Sequence, residues 1–401
     1  MQSVKIQWLL YILYIMFISA DPFAAFSGFD KGHRIIFFTE IATLTYCYNA
    51  INSFRKVFRY ELNIIWFILI IYHWINCIMH DVPSEHGYFL LLYPIFSSFT
   101  ILVLSCYLYL QNAMKASIVF SIGLLSYVMF AVLSGNYIED ASGAVRLTGS
   151  IHMNQLGQAG GFCLFMLLIL KQHIKKQALM KFILLSIIPL YGIIQAGSRN
   201  AFIMLVFASF TLLFSKTLSS KISIGKIFRL LILGIISYLL FNFLLENTAA
   251  GQRLLGTSEQ AEMQNTMYQT GTFLDFLGDR GWYYYVGFQN FIENPLFGIG
   301  MWNFAHYNNA IFPLHTEYMV HITEGGIIAS SLYFYFIFRI GKGLVQINSK
   351  ERSELSVILG LCFITYLIVC FTARAFYYIQ FYVVMGITIA EIMKFEVMKK
   401  S

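Results

Sequence analysis

Charged residues are scarce in this chain, and their scarcity argues against an ordinary soluble domain. Asp, Glu, Lys and Arg make up 12% of the 401 residues, whereas hydrophobic residues make up 58%. A soluble domain typically has about a quarter charged residues. The apolar residues recur in blocks of roughly 17–25, which is the length of a helix that crosses a bilayer. The composition therefore predicts a protein that spans the lipid bilayer many times.

Cysteines and clustered metal ligands are missing from the polar segments. No Asp-x-Asp motif and no histidine cluster occurs in the segments predicted to be external. The sequence therefore predicts neither an external disulfide nor a metal site, and no cofactor is expected. All six cysteines lie within apolar blocks, at Cys47, Cys77, Cys106, Cys163, Cys362 and Cys370.

The apolar blocks favour an all-α membrane fold. Runs such as 64–71 and 161–170 are continuously apolar, whereas the strands of a membrane barrel alternate. The first block is interpreted as a membrane helix and not a cleaved signal peptide, because more spans follow it. Residues 1–401 thus form a single membrane domain with one large loop at 246–314. We predict twelve transmembrane helices, at about 6–22, 34–52, 62–79, 88–110, 117–134, 152–170, 182–197, 200–214, 230–245, 317–338, 355–373 and 376–393.

The basic residues indicate the orientation of these helices. With both termini in the cytoplasm, 20 of the 27 Lys and Arg residues fall on the cytoplasmic side. This bias is the usual signal of topology, so the net charge of +7 calls for no nucleic-acid partner. Arginine, which can hold phosphate through two parallel hydrogen bonds, dominates the external set. That set is Lys31, Arg34, Arg146, Arg199, Arg253, Arg280 and Arg374.

The large loop becomes amphipathic and rich in Trp and Tyr at 281–291. Aromatic residues of this kind suit the membrane interface. An ordinary loop helix packed on the bundle is the alternative, and the sequence favours neither.

Four groups of polar residues at predicted external helix ends are candidates for a functional site. Each also has a structural explanation. Arg199 could snorkel to the lipid headgroups, and Arg280 could pair with Asp279 or Asp275. The groups are Gln195–Phe202 with Ser198 and Arg199, Leu277–Trp282 with Arg280, Asn294–Gly300 followed by His315, Glu317 and Glu324, and Arg146–Ser150 followed by Asn154.

The third group carries the most titratable side chains. His315 could act as a base near neutral pH, or it could cap the helix that begins near Glu317. Glu317 could favour the helix N-terminus electrostatically. Glu324 lies two turns inside the span, where its structural role would be to hold a neighbouring polar group. The other ionisable residues within the spans have no evident partner and are interpreted as structural: Glu40, His73, His321 and Glu391.

The order of these motifs resembles the O-antigen ligase and O-antigen polymerase superfamily. The resemblance lies in Asn294-Pro-Leu-Phe-Gly-Ile-Gly300, then His315, then Glu324 with Gly326. Gly197-Ser-Arg199 and Asn154-Gln-Leu-Gly157 are similar to earlier motifs of that superfamily. The residue after the motif histidine is often asparagine in the family, and it is Thr316 here.

The resemblance implies a glycosyltransferase similar to the GT-C type, in the bacterial inner membrane with its active site facing the periplasm. The donor would be a glycan on undecaprenyl pyrophosphate, and the product would enter lipopolysaccharide. Arg199 and Arg280 would neutralise the pyrophosphate, and His315 would orient or deprotonate the acceptor hydroxyl. A chain-length regulator in the membrane is a further partner that the resemblance allows. The expected substrate-binding residues are Arg146, Asn154, Ser198, Glu317, Glu324 and Arg374.

Three other functions are weighed against a polymerase. A ligase would transfer the glycan to lipid A–core, and the polymerase is favoured because residues 146–157 look more like its pattern. A transporter is disfavoured because the sequence shows neither repeats nor a broken central helix. A purely structural membrane protein is disfavoured by the external arginines.

Overall fold

The computed structural model is almost entirely helical in the residues that it describes. Those residues are 2–27, 32–80, 82, 88–139, 145–148, 153–174, 178–219, 279–310, 313–314, 316–351, 353–374 and 378–400. The first nine helices are α1 Gln2–Ser27, α2 Gly32–Ala50, α3 Asn52–Phe58, α4 Glu61–Met79, α5 Tyr88–Gln111, α6 Ala113–Leu133, α7 Met153–His173, α8 Ala178–Ala196 and α9 Arg199–Leu218. After residue 278 follow α10 Asp279–Glu293, α11 Phe304–Tyr307, α12 Glu317–Met319, α13 Gly326–Lys350, α14 Glu354–Cys370 and α15 Ile379–Lys400.

Helices lie at eleven of the twelve predicted positions. The remaining predicted helix, 230–245, is outside the described residues, as are residues 246–278, 311 and 312 of the predicted loop. The predicted pair at 182–197 and 200–214 is two helices, α8 and α9, joined by a tight turn. The prediction of one uninterrupted helix at 317–338 is wrong, because the chain there contains a π-helical turn and a break.

The described helices identify the chain as a membrane-embedded protein. Five of them, α4, α5, α6, α9 and α13, contain segments long and apolar enough to cross a bilayer. Helix α8 also presents a stripe of exposed aliphatic side chains on one face. Since a soluble protein rarely exposes such a surface, this stripe is expected to face lipid. Its most exposed members, each more than half accessible, are Met180, Ile183, Leu184, Ile187 and Ile194.

A short β-hairpin precedes α7, and the all-α prediction omitted it. Strand β1, Asn136–Glu139, pairs antiparallel with β2, Val145–Thr148. Ile138 lies opposite Arg146 in this register. Because β2 packs against α7 and α8, the hairpin places the backbone of Arg146 beside those two helices.

One end of the bundle collects residues from the predicted cytoplasmic segments. Arg339 of α13 forms an ion pair of 2.8 Å with Glu61 at the start of α4, and lies 3.8 Å from Glu396 near the end of α15. The hydroxyl of Tyr109 lies 3.3 Å from Nε2 of His173, which joins the last turns of α5 and α7. Segments that were assigned to the cytoplasm therefore lie together.

The opposite end of α4 contacts the predicted external motifs. The amide of Asn76 donates to the carbonyl of Phe297 at 2.6 Å and accepts from the backbone N–H of Met301 at 2.9 Å. Tyr72 donates to the carbonyl of Gly325 at 2.7 Å. The two ends of α4 thus contact the two sets of segments separately, as the predicted topology requires.

Cysteine labelling tests which end faces outward. We expect an Asn309→Cys variant to react with a membrane-impermeant maleimide in intact cells, and a Ser349→Cys variant to react only after permeabilisation. Both positions are exposed, and they belong to the two opposite ends of the bundle. All six native cysteines are buried, so the background should be low. Labelling of the Ser349→Cys variant in intact cells would reverse the proposed orientation.

Candidate functional site

The candidate site is built around a break in the helix that was predicted at 317–338. Helix α12 continues as a π-helical turn, Val320–Glu324, and the α-helix resumes at Gly326. Gly326 has a φ angle of 65°. Residues with this backbone conformation end one helical segment and redirect the next. π-Turns of this kind occur often at functional sites.

The loop at 294–303 lies directly against this break. The backbone N–H of Ile299 donates to the carbonyl of Thr323 at 3.0 Å, and that of Gly300 donates to the carbonyl of Glu324 at 3.1 Å. These two carbonyls therefore find partners in the loop although the regular helix ends beside them. The motifs 294–300 and 324–326, which the sequence presents as separate signals, form one structural unit.

Glycine is required at Gly326 by both conformation and space. A Cβ atom there would lie 2.4 Å from the carbonyl oxygen of Leu296. The left-handed conformation alone costs a residue with a side chain about 1–2 kcal/mol. The loop could not stay in place against this atom without a shift of the backbone.

We therefore expect Gly326→Ala to destabilise the protein by at least ~1–2 kcal/mol. Gly341→Ala is the matched control, because it lies in the same helix and its Cβ would meet only Phe363 at 3.4 Å. Thermal unfolding of the purified proteins in detergent gives the comparison. Equal melting temperatures for the two variants would show that the loop does not depend on Gly326.

Glu324 is the central side chain of the site and is fully buried. Its carboxylate accepts hydrogen bonds from the backbone N–H groups of Trp302 at 3.1 Å and Phe304 at 3.4 Å. The guanidinium of Arg374 lies 3.4 Å from the same carboxylate and 4.9 Å from the centre of the Trp302 ring. The structural role predicted for Glu324, to hold neighbouring polar groups, is therefore confirmed. Its role in substrate binding stays a prediction.

The backbone around Trp302 is unusual. Trp302 has a φ angle of 68°, which bulky residues rarely adopt. Such conformations persist only where the surroundings enforce them, and they concentrate at functional sites. Here the carboxylate of Glu324 contacts the N–H group of this residue, and the guanidinium of Arg374 contacts its ring.

The segment 371–374, after α14, connects Arg374 to two other candidate regions. The side chains of Asn200 and Thr372 are hydrogen bonded to each other, and the Asn200 amide also donates to the carbonyl of Thr372 at 3.3 Å. Tyr284 donates to the carbonyl of Phe371 at 3.0 Å. The starts of α9 and α10 therefore both lie against this segment.

The two predicted catalytic arginines belong to these helix starts. Arg199 is the first residue of α9, next to Asn200, and Arg280 is one turn before Tyr284 in α10. The structure describes their backbones and not their side chains. His315 lies outside the described residues. The structure thus brings the positions of both arginines next to the Arg374 segment, while the role of each stays a prediction.

Glu317 links the start of α12 to the same segment. Its backbone N–H donates to the carbonyl of Ala373 at 3.1 Å. Its buried carboxylate accepts a hydrogen bond from Nε2 of His321 at 3.1 Å. Glu317 therefore supports the residue that precedes Arg374 and also begins a buried polar array.

The N-cap of α12 is Thr316. Its hydroxyl accepts a hydrogen bond from the backbone N–H of Met319 at 3.3 Å, and its side chain is fully buried. The N-cap that the sequence analysis considered for His315 is therefore supplied by Thr316 among the described residues. The hydroxyl of Thr316, which replaces the asparagine common in the resembling family, is already engaged in the helix cap.

His321 and His73 form an array that the sequence analysis missed. Nδ1 of His321 lies 3.2 Å from Nε2 of His73 on α4, and both residues are fully buried. The His321 ring stacks on Tyr333 at 4.0 Å, and the hydroxyl of Tyr333 lies 2.9 Å from that of Tyr366. The i, i+4 spacing of Glu317 and His321 could have indicated the first link. Charged and polar groups this deep in a membrane bundle are costly and mark function by default.

Two other ionisable residues thought to lack partners also have them. The carboxylate of Glu40 accepts a hydrogen bond from Ser97 at 2.9 Å. Glu391 lies 2.8 Å from Lys394. Both contacts are remote in sequence from the candidate motifs. This placement is consistent with the interpretation of Glu40 and Glu391 as structural residues.

The remaining predicted residues surround the start of α7. Gly157 lets α7 approach α9, since a Cβ there would lie 2.4 Å from that of Ala201. Ser198 is buried at the N-cap of α9, and its hydroxyl has no hydrogen-bond partner among the described residues. Asn154 is half-buried in the first turn of α7. The side chain of Arg146 is not described, but its strand packs against α7.

Two glutamines in apolar runs escaped the sequence analysis. Gln158 on α7 and Gln380 on α15 are fully buried, and neither amide has a hydrogen-bond partner among the described residues. Phe162 lies one turn after Gln158, and Phe381 is the residue after Gln380. The rings of the two phenylalanines lie 5.6 Å apart, so both glutamines belong to the same level of the bundle. Buried amides need partners, so water or a ligand is expected at this level. An isolated glutamine in an apolar block was the available signal.

The amphipathic segment at 281–291 has features of both alternatives, a helix packed on the bundle and a segment at the membrane interface. Helix α10 packs one face on the bundle, where Tyr283 is buried and Thr323 donates to the carbonyl of Gly287 at 2.9 Å. Its other face exposes Phe288 and Ile292, with more than half of each side chain accessible. A packed helix that also shows apolar side chains outward suits a position at the membrane interface.

The site therefore has a fixed guanidinium between a carboxylate and an indole, with two helix N-termini beside it. Helix N-termini and guanidinium groups both favour an anionic ligand. Neither a scan against protein-family models nor a search of the curated proteins finds a match to this chain.

Proposed function

We propose that the chain is a metal-independent membrane glycosyltransferase, and specifically a polymerase of O-antigen or a related surface polysaccharide. It transfers a growing glycan from undecaprenyl pyrophosphate to a lipid-linked repeat unit. One observation carries the proposal. The starts of α9 and α10, the 294–303 loop and the broken helix all meet at 371–374, although they are far apart in sequence.

The leaving group explains why the backbone positions of Arg199 and Arg280 lie near Arg374. When the bond between the anomeric carbon and the pyrophosphate oxygen breaks, negative charge develops on the pyrophosphate. In the proposal Arg374, Arg199 and Arg280 stabilise that charge. Groups whose positions are fixed before the reaction stabilise a transition state most effectively. Glu324 and Trp302 hold Arg374 in this way.

The acceptor hydroxyl requires a base on the other side of the reacting carbon. Its oxygen attacks the anomeric carbon, undecaprenyl pyrophosphate leaves, and His315 takes the hydroxyl proton. Glu317, two residues after His315, is held by His321 and by the backbone of Ala373. This anchoring supports the position of the segment that carries the base. Arg146, Asn154 and Ser198 bind substrate from the side of α7.

The broken helix at 320–326 removes one argument made from the sequence against a transporter. Broken helices are typical of transporters, and the absence of one was expected here. In transporters, however, the unwound carbonyls coordinate ions. Here the carbonyls of Thr323 and Glu324 accept from the loop, and that of Gly325 accepts from Tyr72. The break therefore serves loop docking, which favours the glycosyltransferase.

Surface polysaccharide from a deletion strain tests the proposal. Loss of long chains with a single-unit cap retained on the core supports a polymerase. Loss of all antigen from the core, with long lipid-linked chains accumulating, identifies a ligase instead. Unchanged polysaccharide contradicts both. The proposed polymerase also requires a location in the inner membrane and a site that faces the periplasm. The labelling of Asn309→Cys checks which side the site faces.

A further inference from the structure

Helices α7 and α8 pack closely at one end and leave a groove at the other. Near the site, a Cβ at Gly160 would lie 2.8 Å from both the Ile193 side chain and the Pro189 carbonyl, so the helices touch. Toward the α7–α8 connection, larger side chains face each other around a groove of about 320 Å³. The two helices diverge along their length because glycine lets them touch at one end, whereas leucine side chains hold them apart at the other.

The groove has an apolar wall and two basic residues. Its wall includes Leu167, Leu170 and Leu185. Lys171 and Lys181 contribute carbon atoms to a lining that is almost entirely apolar, so their ammonium groups lie outside the groove wall. The ion pairs among the described residues include neither lysine. Positive charge beside an apolar surface complements a molecule with an anionic head and a hydrocarbon tail.

The groove lies beside the exposed stripe of α8, which is expected to face lipid. Leu184, one of its lining residues, belongs to the exposed aliphatic stripe of α8 together with Ile183 and Ile187. The groove lies at the same end of the bundle as His173 and Arg339. The predicted topology assigns this end to the cytoplasm. Basic pockets between transmembrane helices on this side suit anionic lipid headgroups.

We propose that this groove binds an anionic glycerophospholipid of the cytoplasmic leaflet. One acyl chain lies along the leucines, and the phosphate lies between Lys171 and Lys181. The site is independent of the proposed glycosyl transfer, since it lies at the opposite end of α7 from Asn154. A failure of either proposal therefore leaves the other unaffected.

Native mass spectrometry of the full-length protein in detergent micelles tests the site. The probes are phosphatidylglycerol and phosphatidylcholine with identical acyl chains. We expect the wild type to retain phosphatidylglycerol more tightly. A Lys171→Gln/Lys181→Gln variant is expected to lose that preference and to bind phosphatidylglycerol roughly 30-fold more weakly. Each basic residue near an anionic lipid surface strengthens binding by about fivefold to sixfold, and two such residues are removed.

Two further variants complete the test. Lys216→Gln/Lys342→Gln removes two exposed lysines from outside the groove and should bind as the wild type does. Leu184→Trp narrows the groove and should weaken binding of both lipids while leaving the lysines in place. Equal weakening by the two lysine pairs would reduce the effect to surface charge and overturn the proposal. So would a wild type without preference, or a Leu184→Trp variant that binds normally.

Discussion

Arg374→Lys is expected to lower turnover by about 10²–10³-fold, the usual effect of removing one fixed electrostatic group from a transition state. Lysine keeps the positive charge but cannot make two parallel hydrogen bonds to a phosphate. It also loses the planar contact with the ring of Trp302, from which the Arg374 guanidinium lies 4.9 Å away. The charge near Glu324 remains, so the fold should survive. The measurement is elongation of purified lipid-linked repeat units, per folded molecule.

Arg339→Lys is the matched control for this substitution. Arg339 also lies in an ion pair, at 2.8 Å from Glu61, but at the other end of the bundle. The same chemical change there should leave turnover near the wild-type value. If both lysine variants lose activity equally, the loss at Arg374 reflects general damage to the bundle and not a phosphate contact.

Glu324→Gln separates the structural part of this pair from the catalytic part. Removing one partner of a buried ion pair leaves the other charge uncompensated and typically costs about 3–5 kcal/mol. Glu324 also accepts two backbone hydrogen bonds from the loop. The Glu324→Gln variant should therefore accumulate to a lower protein level and unfold at a lower temperature. Arg374→Lys should keep its protein level and lose turnover.

The positions of the helices could be predicted because each depends on a local property of the sequence. A run of apolar residues long enough to cross a bilayer forms a helix wherever lipid provides no partner for the backbone. Turns between runs are equally local, and the α8–α9 turn at Gly197 follows from its short polar sequence. The candidate residues at the helix ends were found for the same reason.

The break at 320–326 could not be predicted in this way. It is stabilised by hydrogen bonds from the loop, such as that from Ile299 to Thr323, whose partners are 24 residues apart. The contact between His321 and His73 joins residues even further apart in sequence. The same holds for the pairing of Arg374 with Glu324, since nothing in either local sequence specifies the other.

The α12 cap now sharpens the test of the proposed base. In the sequence alone, His315 could have served either the acceptor or the helix that begins at Glu317. The structure assigns the cap to the hydroxyl of Thr316. Two adjacent residues therefore have separate expected roles, and substitution of each provides a control for the other.

His315→Ala should leave the protein level and melting temperature close to those of the wild type and cut turnover by roughly 10²–10⁴-fold, as expected for the loss of a general base. Thr316→Ala should do the opposite. Loss of its cap is expected to cost about 0.5–2 kcal/mol of stability, while the molecules that remain folded elongate chains at a near-normal rate. Both variants are assayed with purified lipid-linked repeat units, and turnover is divided by the folded fraction. If His315→Ala instead lowers stability and keeps its turnover per folded molecule, His315 belongs to the fold, and the base must be sought elsewhere among the residues around Glu317.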